Sequence, residues 1–157
     1  MFLTLAEGTG RRAGALRELK WSDVDLSAGR VLWRSENDKM KLQMARPVTR
    51  RVARYLRVWK SQCPSRVWVF PAPEDASKPV PKTTVDKWPK AFFDAAGLTK
   101  EKGLGWHAMR RRWATSRRGN AIPDLMAAGG WASAEALMRY LKTDEDTIAR
   151  VIHEQTH

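Results

Sequence analysis

GWHAMRRRWATSRRGNAIPDLMAAGGWASAEALMRYL, residues 105–141, reads as three helices separated by turn signals. Residues 106–118 form the first, with Met109 and Trp113 at i, i+4 as its apolar stripe. That stripe fixes how the helix packs and sends His107 and Arg110, three residues apart, off to one side. Residues 123–128 form a short second helix, Gly129-Gly130 breaks it, and Ser133 begins a third over 134–141. Tyr140 lies near the end of that third helix, nine residues after Trp131. A core role is the plain reading of each aromatic taken alone.

Upstream, Thr83 or Thr84 caps a helix through Val85, Trp88, Phe92 and Ala96, stopped by Gly97 and kinked or broken at Pro89. Val67-Trp68-Val69-Phe70 suits a third strand, which Pro71 ends. Val52, Tyr55, Leu56 and Trp59 occupy one face of a further helix, so Tyr55 is expected in the core. Arg50, Arg51, Arg54, Arg57 and Lys60 lie mostly around its solvated faces. Residues 30–34 and 43–48 read as a hairpin, and residues 11–20, with Ala13, Leu16 and Leu19, as a helix ended by Trp21-Ser22-Asp23. The sum is a mainly α domain with a small antiparallel β-sheet of two or three strands, an α+β class. Strands and helices do not alternate regularly, which disfavours a doubly wound fold, and there is no Walker or dinucleotide-type glycine loop.

The chain has 157 residues, enough for one domain with a real core. With 29 Lys and Arg against 17 Asp and Glu, its formal charge is +12, which makes a polyanion the first partner to consider. Eight Trp and 43% hydrophobic residues argue against disorder. Cys63 is the single cysteine, so no internal disulfide or thiolate zinc cluster is available and a reducing cytoplasm is the default compartment. No apolar run has the length needed to cross a bilayer. Residues 1–6 read as the tail of a helix already under way, which suggests a fragment of a longer chain. Beyond Lys142 the charge reverses at Asp144, Glu145, Asp146 and Glu154, with Ile148, Val151 and Ile152 at a helix-like spacing.

One set of motifs in order changes the weight given to each part. Thr9-Gly10-Arg11-Arg12, then Leu16, Leu19-Lys20-Trp21-Ser22-Asp23-Val24-Asp25, then Lys39 in the hairpin, His107 with Arg110, Gly129-Gly130-Trp131 and Tyr140 together resemble the catalytic domain of tyrosine site-specific recombinases, the phage integrase family. The resemblance covers nearly the whole chain. It implies the recombinase catalytic-domain fold over residues 1–157, with a helical core-binding domain ahead of it in full members. It implies Arg12 as the first catalytic arginine, with Arg11 the register alternative, and Lys39, with Lys41 as runner-up, as the catalytic lysine. His107 and Arg110 match the second box, Trp131 the position held by His or Trp, and Tyr140 the nucleophile. One departure stands out: where the family usually has an acid three residues after the first arginine, this chain has Ala15.

The chemistry that the resemblance implies suits these groups. A phosphodiester gains negative charge as it is attacked, and the guanidiniums of Arg12 and Arg110 present planar donors that stay ionised. The indole N–H of Trp131 can add a donor. A tyrosine hydroxyl, with a pKa of about 10, needs help to lose its proton, for which His107 is the candidate base. Lys39 on a hairpin is the general acid for the leaving 5′ oxygen. The implied partners are double-stranded DNA and further copies of the chain in a tetramer on DNA, with no cofactor, metal, membrane or small-molecule substrate. The segment after Tyr140 is exchanged between subunits or packs back on its own domain. A second expectation, motivated by Ala15, is a DNA-binding module that keeps the fold without the chemistry.

Overall fold

Extended and helical segments arise where residue type and spacing call for them, and the computed structural model describes residues 1–34, 43–141, 148, 149 and 153. Helix α1 spans Phe2–Thr9 and α2 spans Ala13–Arg17, followed by a single 3₁₀ turn at Trp21–Asp23. Strands β1 (Val24–Asp25), β2 (Arg30–Trp33) and β3 (Met44–Pro47) form an antiparallel sheet in that order, with Val31 opposite Arg46 and Trp33 opposite Met44. The β1–β2 turn is built by Asp25, whose Oδ1 accepts from the Ser27 and Ala28 amides at 2.9 and 2.8 Å. Val31 and Trp33 alternate inward along β2 and are buried.

Five further helices follow as far as residue 138: α3 (Arg50–Gln62), α4 (Lys82–Ala95), α5 (Trp106–Thr115), α6 (Ile122–Gly129) and α7 (Ala134–Met138). Thr49 caps α3, its hydroxyl accepting from the Val52 amide at 3.2 Å, and Ser133 caps α7 in the same way with Ala136 at 3.1 Å. The mainly α fold with a small antiparallel sheet is therefore as expected from sequence. Among the described residues, no helix is long and apolar enough to cross a membrane.

The core falls into two clusters. One gathers Phe2, Leu5, Leu16, Val31, Val52 and Leu56 among others, where α1, α2, α3 and the sheet meet. Burial of each such side chain contributes about 1.5–3 kcal/mol. The other holds Trp113, Ala114, Leu125, Trp131 and Leu137 from α5, α6 and α7. Helix α1 packs against α5 and joins the two.

Several local expectations change. Residues 67–70 do not join the sheet, whose third strand is β1. Their backbone is spent elsewhere: Val67 O accepts from the Trp21 amide, the Val69 amide donates to Leu19 O, and Trp59 Nε1 donates to Val69 O. Tyr55 is 47% exposed because Val52 and Leu56 fill the buried face of α3 and leave it at the rim. Helix α4 starts at Lys82, one or two residues before the expected caps, and runs on through Pro89. A proline there deprives Val85 O of its usual amide partner. That carbonyl instead accepts from Trp106 Nε1 at 2.8 Å. The helix expected over 11–20 is shorter, α2 alone. Lys39, Lys41, Val151 and Ile152 lie outside the described residues.

Candidate active site

Arg110 is the structural centre of the second cluster. It projects from the same buried face of α5 as Trp113 and Ala114 and is 2% exposed. Sequence spacing placed Arg110 and His107 off to one side of a Met109/Trp113 stripe; Arg110 is instead inside and His107 outside. The reason is a set of backbone acceptors. Arg110 Nη1 donates to Gly10 O and, at 2.7 Å, to Gly129 O, while Nη2 donates to Gly130 O at 3.2 Å. Gly10 and Gly130 are the left-handed C-caps of α1 and α6, so two helix C-termini aim their negative ends at one cation.

The guanidinium also rests on the face of Trp131, 3.5 Å from the ring centroid. Trp131 is fully buried, stacks on Trp113 at 5.8 Å and meets the Tyr140 ring edge-on at 5.6 Å. Its Nε1 has no hydrogen-bond partner among the described residues. Space is tight enough to require glycine at two places. A Cβ at Gly129 would sit 1.8 Å from the Trp131 ring, and one at Gly10, where φ is +64°, would sit 2.4 Å from Trp113.

Tyr140 follows α7 in a turn, its amide donating to Leu137 O at 2.8 Å and its carbonyl accepting from Thr115 Oγ1 at 3.0 Å. These bonds orient a half-buried ring whose hydroxyl lies 3.4 Å from His107 Nδ1. His107, exposed on the first turn of α5, can accept the phenolic proton only as the tautomer with Nδ1 unprotonated.

The first arginine pair is divided by burial. Thr9 Oγ1 donates to Leu5 O at 2.7 Å and accepts from the Arg11 amide at 3.3 Å, which shapes the turn out of α1. Arg12, half-buried, lines an open cleft of about 620 Å³ together with His107 and Arg110. Arg17, Lys82 and Lys100 share that cleft against Glu18 and Asp86, so its field is positive. Arg11 is 5% exposed, does not reach that cleft and lines a small pocket of about 20 Å³, room for one water, which Arg12 and Arg110 also border and where it lies over Trp33. Ala15 borders the same pocket, and the acids lining it are Glu18, paired with Arg17, and Asp23, paired with Arg34 at 2.6 Å.

The structure thus brings together Arg12, His107, Arg110, Trp131 and Tyr140, while Lys39 falls in the undescribed 35–42 segment. Sequence reasoning assigned nothing to Trp33 or Trp113 beyond core and strand. Only the density of tryptophans near the arginine motifs signals their part in seating cations. Among the described residues, no group of His, Cys, Asp and Glu is arranged to hold a metal ion.

The family model for the phage integrase family matches residues 1–146, and the chain belongs to that family. Its fold is similar to that of the crystal structure of XerA recombinase, with a TM-score of 0.80 and 21% identity over 98% of this chain and 56% of that one. It is also similar to XerH site-specific recombinase bound to difH substrate in a pre-cleavage complex (TM-score 0.71, 20% identity, 96% of this chain, 45% of that one). A lambda integrase dimer bound to a COC′ core site is a third (TM-score 0.69, 21% identity, 90% of this chain, 50% of that one). The chain therefore spans about half the length of these structures. A search of curated protein sequences finds no match.

Proposed function

We propose that this chain is the catalytic domain of a site-specific DNA recombinase that cuts and rejoins strands through a 3′-phosphotyrosyl link at Tyr140. The observation that carries the reading is the Tyr140 hydroxyl 3.4 Å from His107, a residue that itself lines one cleft with Arg12 and Arg110. His107 takes the phenolic proton as Oη forms its bond to phosphorus. The P–O5′ bond breaks, and the 5′ oxygen leaves with its electron pair and takes a proton from Lys39. Attack by a 5′ hydroxyl of the partner strand then breaks the P–Oη bond and restores the phenol, so the exchange consumes no nucleotide. Arg12 faces the non-bridging oxygens in the open cleft; Arg110 supplies positive charge from beneath. Double-stranded DNA is the substrate, and copies of the chain assemble on it, as a tetramer when two duplexes are paired.

Trp131 acts in this site through its face, because the ring is fully buried and already occupied by Arg110. Trp131→Phe is expected to keep cleavage within about tenfold of the parent, since a ring face remains. Trp131→His, which keeps an N–H and loses area, falls further. If direct donation from the indole N–H dominated, the Phe variant would instead lose about 2.7–4 kcal/mol of transition-state stabilisation. Single-turnover adduct formation separates the two results.

A second reading, a DNA-binding module without chemistry, is favoured by the three N–H groups that Arg110 already gives to carbonyls and by Ala15. Both readings require salt-sensitive binding. A plot of log affinity against log salt for a duplex should fall by about 0.9 per phosphate neutralised, and a flat line would exclude both. Covalent trapping divides them. The chain is incubated with a library of nicked duplexes and resolved on a denaturing gel. A shifted band that is missing from Tyr140→Phe supports the recombinase, whereas salt-sensitive binding without a band supports the module.

A further inference from the structure

We propose that Arg11 is a positioning residue for Arg12, acting through its stack on Trp33. The inference rests on the reading of Arg12 as the arginine that faces the scissile phosphate. Arg11 is absent from the open cleft that Arg12 lines, and it is buried with its guanidinium 5.0 Å from the Trp33 ring centroid. It stands between Gly10, in the left-handed region, and Arg12, whose extended backbone (φ −65°, ψ 144°) opens α2. A side chain anchored at the middle of so short a turn fixes where its neighbour emerges. At Gly10 itself the turn is held by its amide on Ala6 O, by the Thr9 hydroxyl on the Arg11 amide and by the Arg110 contact to Gly10 O, none of which fixes the direction in which residue 12 leaves.

Trp33 is a firm partner because its strand is tied down from three sides. Trp33 itself is 4% exposed and pairs with Met44 across the β2–β3 ladder. Its neighbour Arg34 donates from Nε to the buried carboxylate of Asp23 at 2.8 Å. On β3, Arg46 Nε donates to Ala127 O at 3.1 Å, which links the sheet to α6 just ahead of Gly129-Gly130-Trp131. The stack therefore couples the Arg12 turn to a wall that is also fixed to the Arg110 and Trp131 half of the site. Burial beside an aromatic face is where a guanidinium contact of this type is strongest.

The test compares two nicked duplexes from the trapping library, one with a scissile phosphodiester and one with a methylphosphonate there. The methylphosphonate lacks the non-bridging charge that an arginine offsets, so loss of that arginine costs less on it. Arg12→Ala should lose about a hundredfold or more in adduct formation on the phosphodiester and much less on the methylphosphonate. Arg11→Leu and Trp33→Leu should lose roughly ten- to a hundredfold on the first and show the same rescue on the second. Arg11→Lys and Trp33→Phe, which keep a cation and a ring, should lie near the parent on both and guard against misfolding of the harsher variants. Equal losses on the two duplexes for Arg11→Leu, beside a rescued Arg12→Ala, would overturn the positioning role. An Arg12→Ala that is not rescued would overturn the reading of Arg12 itself. If the parent forms no adduct, amide exchange decides: the Leu16 amide, which donates to Arg12 O at 3.1 Å, should exchange faster in Arg11→Leu and Trp33→Leu while α3 is unchanged. Unchanged exchange at Leu16 would then refute it.

Discussion

Tyr140→Phe should form no covalent DNA adduct while binding the same duplex as tightly as the parent. The substitution removes one oxygen and little else. What orients residue 140 is its backbone, through Leu137 O and Thr115 Oγ1, and its ring edge against Trp131; none of these uses the hydroxyl. Among the described residues that oxygen meets His107, which is exposed, so the change leaves no buried group stranded. Stability should therefore stay within about 0.5 kcal/mol of the parent. In the proposed reading affinity comes from phosphate contacts of the positive cleft, whose lining the substitution does not touch. The check is a denaturing gel beside a filter-binding titration at fixed salt. Adduct formation by the Phe variant would show that another residue is the nucleophile. Loss of binding in parallel would show that the hydroxyl is a DNA contact first. His107→Ala belongs in the same series and should retain a slow reaction, because removing a general base costs about 10²–10⁴-fold rather than the bond-forming atom itself.

What could be read from the chain before its coordinates depended on how local the physics was. The helix start at Ser133 and the 30–34/43–48 hairpin are decided by neighbours in sequence, and they stand. The ordered motifs placed His107 and Tyr140 in one site although they are 33 residues apart, because the family resemblance carries that non-local information. Periodicity had no means of doing so. It also could not bury Arg110, since the acceptors that make burial favourable are the carbonyls of Gly10, Gly129 and Gly130, 19 to 100 residues away. A hydropathy pattern assigns a charge to the surface unless its partners are known. The same blindness left a break open at Pro89, where the helix instead continues and a distant indole, Trp106 Nε1, takes the carbonyl that proline leaves without an amide. Residues 67–70 have strand composition, yet their carbonyls and amides are claimed by Leu19, Trp21 and Trp59 before any ladder can form. Backbone pairing at long range overrides propensity at such sites.

Arg110→Met should unfold the domain more readily than any change at Arg12. Methionine matches much of the volume and can lie on Trp131, but it donates nothing to three buried carbonyls. Each carbonyl left without a donor costs about 1–3 kcal/mol, and breaking a buried charged cluster costs about 3–5 kcal/mol in all. For a chain of this size, about 2–4 °C of Tm is lost per kcal/mol, so a fall on the order of 10 °C is expected. The two helix C-termini that converge on the guanidinium would also lose the cation that offsets their dipoles. Arg110→Lys should fall between, because one ammonium carries the charge without the planar fork that reaches Gly129 O and Gly130 O together. Arg12→Ala, at a half-buried position outside both core clusters, should shift Tm little. Thermal unfolding of the three variants without DNA supplies the comparison, and equal Tm values for Arg110→Met and Arg12→Ala would rule out the structural role. The contrast matters for chemistry as well. If two arginines serve one phosphate as proposed, they are separable by experiment only if one of them also holds the fold, and adduct yields for Arg110 variants then have meaning only below the temperature at which each variant unfolds.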